Sequence, residues 1–323
     1  MGMTSNPAVT PIAAAVPPTR SETAPAAGGG ESDPAAGDGG SRPDVAAYLD
    51  RIGVAPGPPD TALLRRIVRA HVATIPFENL DPFTGTEPPV DRADIVGKLV
   101  HGRRGGWCFE NNRLLHDMLG DLGYRVTPLV GRVRLGVADG DPPTMRTHRL
   151  TLVEAGDPAE GTATTAPTAG FFVVDVGFGG TVPSEPLRLV SGTVQPTAHA
   201  EHRYRSDGAG GWAQQRRGGG DWLTQYTFDL TPVPDIDYAM GSWYLTHHPA
   251  SHFRNGLIAA YSGPDRRATL AGNRYTLRHT DGRTEERELS TPARVIRALE
   301  DEFGIDTSGV SGLEQRIRTV HFG

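Results

Sequence analysis

Residues 108–135, CFENNRLLHDMLGDLGYRVTPLVGRVRL, change their apolar period at Gly123. Before that point Leu115, Met118, Leu119 and Leu122 recur at helical spacing, so a helix is expected to open at or near Cys108. Gly123 suits the left-handed residue that ends such a helix. After it, 124–135 alternates with the period of a strand that has one buried face. Upstream, three more segments read as helices: one from Pro43 with Val45, Tyr48, Leu49 and Ile52; one from Asp60 with Leu63, Leu64, Ile67, Val68 and His71, stopping near Ile75-Pro76; and one over 91–101. Downstream, 148–154, 171–176 and 222–228 read as strands. Turn signals follow at Gly272-Asn273 and Asp281-Gly282, then a helix with Thr291 as N-cap and Pro292 at its first position. Helices, then antiparallel strands, then strands with a helix make an α+β fold rather than alternating βαβ units.

Two compositional islands interrupt this pattern, 155–170 and the Gly-rich 208–220, and both read as surface loop insertions. Residues 1–41 are Ala-, Pro- and Gly-rich with almost no large apolar groups, and are expected to be disordered. The expected division is therefore a tail over 1–41, a helical bundle over 42–123, a β-barrel over 124–230 and an α/β lid over 231–323.

The chain has 323 residues, 37% of them apolar and 22% charged, with a net charge of −6. That balance argues against a nucleic-acid partner. Arginine pairs at 65–66, 103–104, 216–217 and 266–267 are scattered and read as solvated faces or local ion pairs. No apolar run reaches membrane-spanning length, and the first residues do not read as a signal peptide. With one cysteine, Cys108, no internal disulfide is possible, a thiol-based zinc site is not expected, and a reducing cytoplasmic setting is expected.

Cys108 follows Arg103-Arg104-Gly105-Gly106-Trp107 and opens the expected helix. A first helical turn and a nearby arginine both favour a thiolate, and the two glycines would let a substrate approach the backbone. A buried structural cysteine is the competing reading. His148 shares a strand face with Leu150 and Leu152, and Asp175 shares one with Phe171 and Val173. A charge on an apolar face needs a partner. If the two strands pair, His148 and Asp175 lie opposite each other, the carboxylate orients the imidazole, and the other ring nitrogen faces Cys108. Separate local hydrogen bonds for each remain the alternative.

Several stretches together resemble the arylamine N-acetyltransferase family from about Val45 to the C-terminus. They are Ile75-Pro76-Phe77-Glu78-Asn79-Leu80, Arg104-Gly105-Gly106-Trp107-Cys108-Phe109-Glu110, Thr147-His148, Asp175-Val176-Gly177-Phe178-Gly179-Gly180, and Trp243-Tyr244 followed by Ser251-His252-Phe253. The resemblance implies a helical bundle, a β-barrel and an α/β lid, with a triad arranged as in cysteine proteases and transglutaminases. It assigns Cys108, His148 and Asp175 to catalysis. It implies that Arg104 and Glu78 support the site by charge pairing, and it extends that network to Arg51. Phe77, Val133 and Phe178 fall where the family lines its acceptor pocket, and Thr147 and Gly179 where it contacts coenzyme A. The implied chemistry is ping-pong transfer of an acetyl group from acetyl-CoA to an arylamine, hydrazine or hydroxylamine, without a metal. The 155–170 insertion is longer than the family pattern.

Four other readings stay open at this stage. An amide synthase of the same fold would use the same triad with a carrier-bound acyl chain. A cysteine protease or transglutaminase-like enzyme shares the order Cys, His, Asp. A non-enzymatic binding module would not need the triad intact. His247, His248 and His252 suggest a metal site but lack a carboxylate set. The sequence does not decide between a monomer and a homo-oligomer.

Overall fold

The computed structural model describes residues 43–138, 140–155 and 170–323. The expectations for 1–41 and for the body of the 155–170 insertion lie outside the described residues. The ends of that insertion are joined, Ala155 N–H donating to the Gly170 carbonyl at 3.0 Å.

The expected helices form at Pro43–Ile52, Thr61–Val72 and Cys108–Asp121. Asp60 caps the second by accepting from Leu63 N–H at 2.7 Å. Gly123 takes a left-handed φ of 94° just past the third. The helix expected over 91–101 is not uniform: it is α-helical over Arg92–Val96 and continues as a π-helical turn over Gly97–His101. Between them the chain forms two elements too short to show a period, a strand at Phe77–Glu78 and a helix at Leu80–Thr84.

Eight antiparallel strands wrap into a barrel-like sheet. In spatial order they are Leu187–Arg188, Phe171–Val174, Arg146–Glu154, Arg125–Val133, Asp221–Asp229, Gly211–Gly218, Glu201–Ser206 and Gln195–Pro196. The two short edges are stitched by the Gln195 amide. Its Oε1 accepts from Arg188 N–H at 2.7 Å and its Nε2 donates to the Arg188 carbonyl at 2.9 Å, standing in for a ladder pair. The Gly-rich stretch 208–220 is not a loop insertion. Its middle is the strand Gly211–Gly218, which buries Gln214 against His202 at 2.8 Å instead of an apolar side chain.

Strands Arg146–Glu154 and Phe171–Val174 are buried on both faces. Val153, Phe172 and Val174 pack on the helices, whereas Leu150, Leu152 and Val173 join Leu129, Tyr204, Tyr226 and Phe228 inside the barrel. This sandwiching between helices and barrel explains their near-continuous apolar run. A second sheet takes Phe77–Glu78 as an edge beside Ile258–Ser262, Arg266–Ala271, Arg274–His279 and Thr284–Glu288. The helices Pro292–Asp301 and Leu313–His321 cover one of its faces through Val295, Leu299 and Ile317. Thr291 Oγ1 caps the first of them, accepting from Arg294 N–H at 3.3 Å. Phe77 also bridges to Gly106, and this ties the segment just upstream of Cys108 to the edge of the C-terminal sheet.

Candidate active site

Cys108 is the first residue of its helix and is 4% exposed. Gly177 fixes how closely the Asp175 loop approaches it. A Cβ on Gly177 would come within 2.6 Å of the Cys108 Cα and 2.9 Å of Asn112 Nδ2, so only glycine fits. Gly105 and Gly106 serve the same purpose inside the chain. A Cβ at either would meet Pro76, Glu78 or Glu110, so their openness faces the protein's own backbone rather than a substrate.

His148 Nε2 lies 2.8 Å from Asp175 Oδ2, and both side chains are almost fully buried. The pairing is diagonal, not directly opposite as expected. Thr151 faces Val174, so the same register carries Asp175 opposite Leu150. Both side chains still share the barrel-interior face, because strand side chains repeat every second residue. The remaining ring nitrogen is Nδ1, and the Cys108 side chain is near enough to the imidazole to act on its charge. Burial alone would lower the imidazole, but the charge and hydrogen bond of Asp175, with the Cys108 contact added, push it up to about 10. The ring is held between Phe178, at 4.9 Å between centroids, and Tyr226, at 5.2 Å. The thiol itself lies 3.6 Å from the Thr147 carbonyl.

Asn112 is a site residue that the sequence reading missed. It sits one turn after Cys108 on the same helix face. Its Nδ2 donates to Asp175 Oδ1 at 3.0 Å and to the Arg149 carbonyl at 2.7 Å, while its Oδ1 accepts from Val176 N–H at 2.8 Å. With Gly177 N–H also donating to Asp175 Oδ1 at 3.0 Å, the carboxylate is oriented on both oxygens. The signal in the sequence was an Asn-Asn pair, Asn111-Asn112, on a helix that otherwise buries an apolar stripe; both are fully buried.

Arg104 and Glu78 pair as expected, Nε to Oε1 at 2.8 Å, and the cluster is larger than foreseen. Arg104 also reaches Asp81 at 2.8 Å, and Lys98 bonds both Asp81 and Glu110 at 2.6 Å. Glu110 in turn accepts from Trp107 N–H at 3.2 Å, so the cluster braces the residue just before the thiol. The arginine expected to stabilise a thiolate directly is thus committed to carboxylates. Arg51 does not join this network. It donates to the Thr74 carbonyl at 3.3 Å and makes no ion pair among the described residues.

Phe77, Val133, Thr147, Phe178 and Gly179 line one cavity of about 300 Å³ together with Cys108 and His148. Leu135, Leu245, Phe253 and Ile258 complete its apolar wall, and His252 borders it. Of the other two histidines, His247 ends the helix Asp235–His247, 3.7 Å from Glu87, and His248 follows it. Among the described residues no group of three His, Cys, Asp or Glu side chains could hold a metal, and no helix is long and apolar enough to cross a membrane. A thiol beside an imidazole that a buried carboxylate orients, opening on an apolar pocket, has the parts for nucleophilic acyl transfer.

Comparison with known proteins points the same way. A family profile described as N-acetyltransferase matches residues 60–310. An arylamine N-acetyltransferase of Mycolicibacterium smegmatis is 40% identical over 282 residues, covering 86% of this chain and 97% of that one. An arylamine N-acetyltransferase / N-hydroxyarylamine O-acetyltransferase of Salmonella typhimurium is 35% identical, covering 82% and 89%. The solved structure of Mycobacterium marinum arylamine N-acetyltransferase in complex with CoA superimposes with a TM-score of 0.78 at 38% identity, over 85% of this chain and 99% of that one. The α+β fold, the site and the relatives agree, and the chain belongs to the arylamine N-acetyltransferase family.

Proposed function

We propose that this protein transfers an acetyl group from acetyl-CoA to an arylamine, arylhydrazine or arylhydroxylamine through a Cys108 thioester. The observation that carries the reading is that Cys108 and His148 line one apolar cavity, with the His148 ring bonded behind it to the buried Asp175. Relatives named for the same activity support it. The Cys108 thiolate attacks the thioester carbonyl, and backbone N–H groups of the first helical turn face the developing oxyanion. The imidazolium of His148 gives its proton to the departing CoA thiolate. The amine nitrogen then attacks acetyl-Cys108, and neutral His148 takes the amine proton as the thiolate leaves. Asp175 stabilises the imidazolium without itself accepting the proton.

In this reading Phe77, Val133 and Phe178 contact the acceptor ring, Thr147 and Gly179 contact the donor, and Arg104 with Glu78 holds the segment before Cys108. A single thiol that must stay reduced suits the cytoplasm. The test is initial-rate kinetics with acetyl-CoA and an arylamine varied together. Parallel double-reciprocal lines are expected, and no turnover in Cys108→Ala. Intersecting lines would mean direct transfer in a ternary complex and sink the thioester.

A further inference from the structure

Two of the arginine pairs divide: Arg217 pairs locally with Glu201 at 2.9 Å and Arg266 is solvated, as read, but Arg216 and Arg267 have no ion-pair partner among the described residues. Arg267 and Arg278 sit directly opposite each other on the neighbouring strands Arg266–Ala271 and Arg274–His279. Arg216, from the barrel strand Gly211–Gly218, is close enough to both to repel them. Arg267 is only 6% exposed, and its Nε and that of Arg216 are buried with no hydrogen-bond partner. None of the three arginines forms an ion pair among the described residues. His199 and His202 stand beside them, and burial first and the arginines second lower both, His202 to about 3, so neither adds charge. Asp265 acts on His199 without pairing to any of the three. Across the strand pair from Arg267, the Ser262 hydroxyl is also buried without a partner.

A guanidinium stays protonated at any physiological pH, so this cluster cannot relieve its repulsion by losing a proton. Burying it beside two like charges is costly unless an anion joins it. Guanidinium forks match the oxygens of phosphate, and three of them match more than one negative charge. The cluster also has a defined relation to the cavity. Thr269 lies two residues from Arg267, on the same face of its strand and about 7 Å along it. A Cβ on Gly180 would fall 2.6 Å from Thr269 Cγ2, and Gly180 lines the cavity that holds Cys108.

We propose that Arg216, Arg267, Arg278 and Ser262 form a phosphate-binding site that takes the phosphate groups of the coenzyme A thioester while its acyl end lies at Cys108. This rests on acetyl-CoA being the donor. The cost of leaving these arginines unpaired in the free protein is then recovered when the donor binds.

The experiment compares the full chain with Arg216→Gln, Arg267→Gln and the more exposed Arg278→Gln, using acetyl-CoA and the phosphate-free donor p-nitrophenyl acetate. Each variant is expected to raise KM for acetyl-CoA about tenfold, the loss of one charge-assisted hydrogen bond. Turnover of p-nitrophenyl acetate should stay unchanged, which shows that the variants are folded and their thiol is active. Inhibition by 3′,5′-ADP against acetyl-CoA should weaken in parallel. An unchanged KM in all three variants would overturn the proposal. So would a thermal shift with inorganic phosphate that is lost in the variants while KM holds, because the site would then serve free phosphate. If the wild type turns over p-nitrophenyl acetate but not acetyl-CoA, the donor reading fails instead. The anion site is then judged by that phosphate shift alone: a rise in Tm lost in Arg267→Gln supports it, and no rise ends it.

Discussion

Two clusters of charge among the described residues are built on opposite plans. Around Trp107, Lys98 and Arg104 face Glu78, Asp81 and Glu110, and each carboxylate has a cation or backbone N–H in contact. Burial raises Glu110, Lys98 partly offsets this, and Asp81 and Glu78 add to it, leaving its carboxyl at about 7. The third acid thus gives up part of its charge, and the cluster comes close to neutral. At the junction of the barrel and the C-terminal sheet, the buried Arg267, the half-buried Arg216 and the exposed Arg278 have no carboxylate partner among the described residues. A cluster balanced within the chain holds the chain in place. One that is unbalanced requires something from outside.

The largest effect that separates the two plans is on stability. Arg104→Met leaves the buried Glu78 without its cation and Asp81 with Lys98 alone, and is expected to cost about 3–5 kcal/mol in urea unfolding. Arg267→Met removes a charge that nothing in the chain balances, and should cost no more than about 1 kcal/mol, or stabilise the free protein. Equal losses in both would break the comparison.

Next in size is Gly177→Ala. It pushes the Asp175 loop off the Cys108 helix, and a shift of this kind is expected to lower kcat/KM about 100-fold. An unchanged rate would mean that this close approach does not position the site.

A smaller effect, read by NMR of the His148 ring, is its titration near pH 10 rather than near 6.5. Because the folded value lies above the free one, the stability it contributes is complete below about pH 6.5 and is lost as the pH rises through about 10. Titration at an ordinary histidine value would show that Asp175 does not hold the charge.

Smallest is Arg51→Ala, expected to change stability by less than about 1 kcal/mol, since its single bond goes to the Thr74 carbonyl. A loss matching Arg104→Met would return Arg51 to the network from which the structure separates it.

These contrasts also mark what a sequence can carry. Gly123 and the change of period there placed the nucleophile helix and the first barrel strand correctly, because period and turn chemistry are local. His148 and Asp175 were legible for the same reason: each is polar on an otherwise apolar strand face. Lys98, Asp81 and Glu110 were not, since their partners come from turns and helices separated by 12 or more residues. The strand Gly211–Gly218 was hidden because its inward side chains include Gln214 and its flanks are glycine, a pattern that composition assigns to a loop. The arginine cluster was hidden because it forms only when two sheets meet.

The most direct test of the account is the intact mass of the protein after mixing with acetyl-CoA in the absence of any amine, beside a Cys108→Ala control. The account expects one added acetyl group, absent from the control and discharged by an arylamine. An unmodified wild-type chain, or an acetyl group that persists in Cys108→Ala, would contradict it.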